Sequence, residues 1–271
     1  MTTELFYTAL VAYGFAAIVY LVYFTSEKAR AQQAARILFI GAALFHGAAL
    51  VVRFVVSGYT PITTTHEAVS FFAWTTALAF LSIRWFKKVK NLGVFASSLV
   101  LALMVLAWFS SHEARPLAPA LQSVWLPIHA SLAMAANSFF ALAAIGGIMY
   151  LLQERELKQK RLGVFFSRLP SLDALDTMNQ HCLAVGFLLM TMGMVTGALW
   201  AKQAWGAYWH WQPKQTWTLV TWLVYAVLIH QRFTIGWRGR RSALLTVVAF
   251  GLVLFTFLGV NFLFSGLHNV G

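Results

Sequence analysis

The chain reads as long apolar runs separated by short basic connections, with neither the two-residue alternation of surface strands nor the one-sided stripe of a soluble helix. A helix that crosses a bilayer needs about 20 mostly apolar residues. Runs of that kind fall at 5–24, 37–57, 66–86, 92–111, 128–152, 181–201, 216–236 and 242–264. The sixth is carried by CLAVGFLLMTMGMVTGALW, interrupted only by Gly and Thr. The pattern predicts an all-α integral membrane protein, a bundle of about eight transmembrane helices. One polytopic domain spans 1–271, with helices one to four in 1–110 and the remainder in 120–271. The segment 154–178, ERELKQKRLGVFFSRLPSLDALDTM, mixes Phe and Leu with Arg and Lys. It fits an amphipathic stretch on the membrane surface or a solvated basic loop equally well.

Composition supports the membrane reading: 60% of residues are hydrophobic and 10% charged, against about 25% charged in a soluble protein. The net charge of +12 would point to nucleic acid in a soluble domain. Here the cations lie between apolar runs, so the partner is the lipid bilayer and nucleic acid is excluded. Most of the 20 Lys and Arg cluster in alternate connections: Lys28, Arg30 and Arg36; Arg84, Lys87, Lys88 and Lys90; Arg155, Lys158, Lys160, Arg161 and Arg168; Arg232, Arg238, Arg240 and Arg241. Only Arg53, Arg115, Lys202 and Lys214 fall on the other side. The positive-inside bias makes the crowded side cytoplasmic and puts both termini on the outer face. Segments 112–127, 202–215 and 265–271 then open outward. The start, MTTELFYTALVAYGF, lacks a basic region and an Ala-x-Ala site, so it reads as a spanning helix rather than a cleaved signal. The single cysteine, Cys182, excludes an internal disulfide and a Cys-x-x-Cys redox motif, and its apolar setting reads as a small buried hydrophobe. Without Cys-x-x-Cys-His the chain is not itself a c-type cytochrome.

Eight histidines are many for so apolar a chain, and an ionisable group within a membrane is a functional candidate by default. His129 sits at the outer mouth of the fifth span, His268 follows the eighth, and His230 lies toward the cytoplasmic end of the seventh. The outer segment 200–217 packs Trp200, Trp205, Tyr208, Trp209, Trp211 and Trp217 into eighteen residues. An interfacial aromatic belt accounts for a few such rings. Six suit a platform for a large flat aromatic ligand, with Gly206 and Pro213 shaping the loop and Lys214 available to a carboxylate. Two outward histidines beside it suggest a haem held on both axial positions by imidazole. Each histidine taken alone is better explained by capping a helix or bonding a backbone carbonyl, and it is the pair on the face of the tryptophan loop that shifts the balance.

The run WGAYWHWQPKQTWTLVTWLVYAVLIHQR is similar to the tryptophan-rich WWD signature of haem-handling proteins. The chain resembles most the CcsA/ResC branch of system II cytochrome c assembly, and CcmC more distantly. LPSLDALDTMNQHCLAVGFLLMTMGMVTGALWA and LGVNFLFSGLHNVG extend the likeness over 120–271, the WWD-type region. In 1–110 mainly the helix layout and PITTTHEAVSFFAW agree. The resemblance implies haem b as cofactor, with His129 and His268 as external iron ligands. His230 corresponds to a membrane-embedded haem histidine. Trp205, Tyr208, Trp209, Trp211, Pro213, Lys214 and Trp217 correspond to the platform. It implies presentation of haem for covalent attachment to apocytochrome c bearing Cys-x-x-Cys-His, as a subunit of a cytochrome c synthase with a CcsB/ResB-like partner. Thiol-reducing proteins would supply the free thiols, and the setting would be a bacterial inner membrane. His181, His66, His112 and His210 match no ligand of the family. His46, mid-membrane in the second span, is a candidate second internal ligand or a core histidine bonded to a neighbouring helix. Gln212 and Gln215 stand where the family has Asp and Glu in Trp-x-Trp-Asp-Pro-Lys-Glu-Thr-Trp, leaving the loop about two charges more positive. The competing readings are a haem chaperone or exporter without attachment activity, and a b-type electron-transfer subunit pairing His46 with His230.

Overall fold

The computed structural model describes residues 2–86, 89–110, 123–160 and 163–259. These residues form helices only: α1 (Thr2–Ser26), α2 (Ala29–Ser57), α3 (Thr65–Phe86), α4 (Leu92–Phe109), α5 (Trp125–Lys158), α6 (Val164–Arg168), α7 (Leu172–Trp205), α8 (Pro213–Phe233) and α9 (Arg240–Leu254), which runs into a π-helical turn, Phe255–Gly259. All eight predicted runs coincide with a long helix, the last five residues of the eighth, 260–264, lying outside the described residues. Six helices, α1, α2, α4, α5, α7 and α9 with its π turn, are long and apolar enough to cross a membrane. α3 and α8 have spanning length, 22 and 21 residues, but open on Thr-His-Glu and Pro-Lys-Gln-Thr. The molecule is an all-helical, multi-pass membrane protein. Its exposed side chains include Leu44, Val55 and Phe109, each more than 70% accessible. Hydrocarbon is the solvent that suits such faces.

Two helices outrun their hydrophobic cores. α7 starts at Leu172 rather than 181 because Ser171 caps it, its Oγ accepting the Ala174 N–H at 3.2 Å, and Asp173 follows in the first turn. α5 continues to Lys158, where Glu154 bonds Lys158 Nζ at 2.9 Å. Both extensions are polar, so a hydropathy window passes over them. Of segment 154–178, only the short α6 stands as a separate helix.

The chain divides into two compact units. The first holds α1–α4 and Ser167–Pro170. Its core is aromatic: Tyr13, Phe39 and Phe80 are fully buried and meet edge to face, at 5.4 Å for Tyr13–Phe39 and 5.2 Å for Phe39–Phe80. At one end Glu27 pairs with Lys90 at 2.7 Å and Arg168 at 2.8 Å, gathering three basic connections together. At the other, Thr64 and Glu67 form a capping box at the start of α3, and Arg53 closes on the Glu67 carboxylate at 2.7 Å. One contact inside this unit matters later. Trp74 Nε1 donates to the Ala43 carbonyl at 3.0 Å, a reach left open because residue 47, four further along α2, is glycine.

The second unit holds α5, most of α6, α7, α8 and α9. α5 and α7 pack along each other through small residues, as membrane helices do in the absence of a hydrophobic drive between them. A Cβ on Gly186 would come within 2.6 Å of the Phe140 ring, and Phe140 stacks on Tyr225 at 3.7 Å. At the basic end Arg232 is enclosed and bonded to Asp176, and Arg240 meets Glu154 at 3.2 Å. Within each unit, therefore, the basic connections share one end.

Candidate functional site

The opposite end of the second unit carries the tryptophan-rich loop. α7 stops at Trp205 because Gly206 takes the left-handed conformation (φ 82°), its N–H donating to the Lys202 carbonyl at 2.9 Å. The loop re-enters a helix at Pro213, whose ring suits the first helical turn and holds Gln212 extended (ψ 153°). Between them Trp211 sits at φ 52°, a conformation that costs a bulky residue about 1–3 kcal/mol. Its ring is 71% exposed and Tyr208 is 53% exposed, so two large rings are held outward.

His129 lies one turn into α5 and meets this loop through a run of rings. It stacks on Trp200 at 6.0 Å with 20° between planes. Trp200 packs on Trp205 at 5.0 Å, and Trp205 meets His210 edge-on at 5.9 Å. Trp209 and Trp211 meet at 5.6 Å, Lys202 Nζ lies over the Tyr208 ring at 4.8 Å, and Trp217 packs on Phe255 at 4.8 Å. Lys214 is within electrostatic reach of His129. The ends of α5 and α7 are tied by Ser123 Oγ donating to Gln203 Oε1 at 2.7 Å. Among the described residues, Trp209 Nε1 and His210 Nδ1 are enclosed without a hydrogen-bond partner.

Two features of this end were not read from the sequence. His129 Nδ1 donates to the Gly193 carbonyl at 2.7 Å, over the bare backbone of Gly197. The signal was available as two glycines four apart on a spanning helix, a close-packing pattern. The second concerns Gln215. Its Oε1 accepts the His210 backbone N–H at 2.9 Å and holds the loop, a task a carboxylate performs equally well. Gln212 differs, since it occupies the N-cap of α8 and its side chain makes no cap bond. Gln212→Asp is expected to supply that cap and raise stability by about 1 kcal/mol, read from thermal unfolding in detergent. An unchanged or lowered midpoint would contradict it.

The other candidates lie elsewhere. His230 is exposed near the far end of α8, about 25 Å along the helix from Pro213. Its Nδ1 makes a long contact, 3.4 Å, with Thr234 Oγ1. His46 belongs to the first unit, where it is buried, bonded through Nε2 to Ser70 Oγ at 2.9 Å and edge-on to Tyr13. His66 Nδ1 bonds the Ala107 carbonyl at 2.8 Å. His112 and His268 lie outside the described residues.

Residues 62–268 match the family of cytochrome c assembly proteins, a span that takes in His129, the tryptophan loop, His230 and His268. The chain is 34% identical to a cytochrome c biogenesis protein CcsA of Synechococcus sp. (strain JA-3-3Ab), covering 86% of this chain and 83% of that one. It is equally similar, at 34%, to the CcsA protein of Porphyra purpurea over 81% of each. In three dimensions it is similar to a cytochrome c haem lyase CcmF, with a TM-score of 0.67 and 16% identity. That likeness concerns the fold alone and covers 95% of this chain but 46% of CcmF. The chain therefore belongs to the cytochrome c assembly protein family.

Proposed function

We propose that this protein binds haem against the tryptophan-rich end of its second unit and presents it for covalent attachment to apocytochrome c. Membership of the family puts the chain in cytochrome c biogenesis, and the relatives named CcsA carry that role in their names. The observation that carries the haem reading is the run His129–Trp200–Trp205–His210 beside two outward-held rings. An imidazole next to a broad indole surface matches an iron centre set in a flat apolar macrocycle. The orphaned Trp209 Nε1 and His210 Nδ1, with Lys214 nearby, suit the carboxylates at the edge of that macrocycle.

In this reading His129 and His268 would be the residues that hold the haem iron. Trp205, Tyr208, Trp209, Trp211 and Trp217 line the ring, while Pro213 and Lys214 shape and charge its rim. His230, at the basic end, receives haem from the cytoplasmic side together with a CcsB/ResB-like partner. The basic ends are cytoplasmic, and both termini and the loop face outward from a bacterial inner membrane. The thiols of Cys-x-x-Cys-His add across the two vinyl groups of haem b. Each S–H places its sulfur on one carbon and its hydrogen on the other, so no oxidant is consumed. The protein's contribution is position.

The full-length protein, purified in detergent, is expected to show a Soret band and to release haem b on acid extraction. Coexpressed with a CcsB-like partner and a reporter apocytochrome, it is expected to give covalent cytochrome. Absence of the Soret band would defeat the haem reading. A Soret band with no covalent product would leave a haem chaperone and defeat the attachment role.

A further inference from the structure

We propose that Gly193, Gly197 and Trp200, one stripe of α7, form a seat that holds a proton on His129 Nδ1 and so directs Nε2 toward iron. The inference rests on the reading of His129 as a haem ligand and adds to it three positioning residues.

The partner of His129 Nδ1 is a backbone carbonyl at 2.7 Å, and a carbonyl only accepts. The proton therefore sits on Nδ1, and the lone pair of the neutral ring sits on Nε2. A carbonyl in mid-helix is ordinarily screened by the side chain one turn on. Here that residue is Gly197, and a Cβ built there would stand 2.7 Å from His129 Nδ1 and 2.8 Å from Cε1. Real side chains do not approach so closely, so a substituent there must displace the ring. Trp200 closes the other face by stacking at 6.0 Å.

The same construction recurs in the first unit. Trp74 Nε1 donates to the Ala43 carbonyl at 3.0 Å, and a Cβ on Gly47 would fall 2.9 Å from that nitrogen. In both places glycine four residues after the acceptor lets a ring N–H reach a mid-helix carbonyl. For an indole the result is packing alone. For an imidazole the second nitrogen becomes a base of set direction, and the partner of the first tunes its donor strength. A carbonyl partner leaves the ring neutral, whereas a carboxylate would draw it toward imidazolate and favour ferric iron.

The test compares haem-loaded wild type, Gly197→Ala, His129→Ala and the double variant, each purified full length, by absorbance and redox titration. Gly197→Ala is expected to weaken haem retention roughly 10- to 100-fold, the usual cost of losing a ligand's supporting partner, and to shift the potential of what remains. The double variant is expected to match His129→Ala, since the methyl acts only through the ring. Wild-type retention and potential in Gly197→Ala would overturn the seat, as would additive losses in the double variant. If His129→Ala itself kept the wild-type spectrum, the ligand reading would fall, a result separable from failure of the seat alone. Should Gly197→Ala not accumulate, free imidazole added to His129→Gly is expected to restore the spectrum, and to fail in His129→Gly/Gly197→Ala, where the methyl occupies the seat. Equal restoration in both would also overturn the proposal.

Discussion

Replacing His129 by alanine is expected to abolish maturation of a reporter c-type cytochrome while leaving the protein folded in the membrane. His129 is only partly buried, and among the described residues its ring bonds the Gly193 carbonyl and stacks on Trp200. Losing these costs the fold about 1–2 kcal/mol, a net hydrogen bond and a ring pair. On the proposed haem reading the functional loss is of another order, because an iron ligand would be removed. Single replacements in the loop, Trp209→Ala or Trp211→Ala, are expected to do less, since on that reading apolar contact with the macrocycle is shared among several rings. The check is the yield of covalent cytochrome per membrane protein, with thermal unfolding in detergent beside it. Wild-type yield from His129→Ala would refute the assignment, and a collapsed melting point would move the effect to stability.

The largest stability effect is expected at the opposite end of the same unit. Arg232 has a side chain 2% exposed, and its Nη2 meets the Asp176 carboxylate and carbonyl, each at 2.7 Å. Nη1 donates to Ser242 Oγ at 2.7 Å, and the Asp176 carboxylate also accepts the Gly239 N–H at 2.9 Å. One guanidinium therefore ties the start of α7 to the end of α8 and the start of α9. Arg232→Ala strands the carboxylate and is expected to cost about 3–5 kcal/mol. The exposed Arg240–Glu154 pair, 63% exposed on the arginine, is a fair contrast, and Arg240→Ala is expected to cost under about 1 kcal/mol. Arg232→Met with Asp176→Leu is expected to recover most of the loss, since no unpaired charge remains buried. Thermal unfolding of the three variants decides the matter: equal shifts for Arg232→Ala and Arg240→Ala would contradict the account.

The sequence alone carried the helices well, because a spanning helix is a local object of fixed length and solvent. It did less well at their polar extensions. Ser171 and Asp173 are a readable start signal, but the first turns that follow are rich in polar residues, and Leu172 falls in the segment read as an amphipathic stretch or a solvated loop. Gln215 shows the opposite limit. Its departure from the family's acid suggested a change of charge, whereas its side chain holds the His210 N–H, a role that depends on an oxygen and not on a charge. The sequence placed His129 at the outer mouth of the fifth span and His46 mid-membrane in the second. His46 is buried and bonded to Ser70, and His129 stacks on Trp200 in an aromatic run that reaches an exposed loop.

What the sequence by itself determined is therefore the number and placement of the long helices, the segregation of cations to alternate connections, and the aromatic density of 200–217. Each is a property of neighbours along the chain. Only the tertiary structure decided which nitrogen His129 presents, because its partner lies 64 residues away on another helix. Only it decided that Arg232 faces Asp176, 56 residues distant, rather than water. Hydrogen bonds with fixed direction and a contact that admits no Cβ exist only once helices are docked. No periodicity within either helix encodes them.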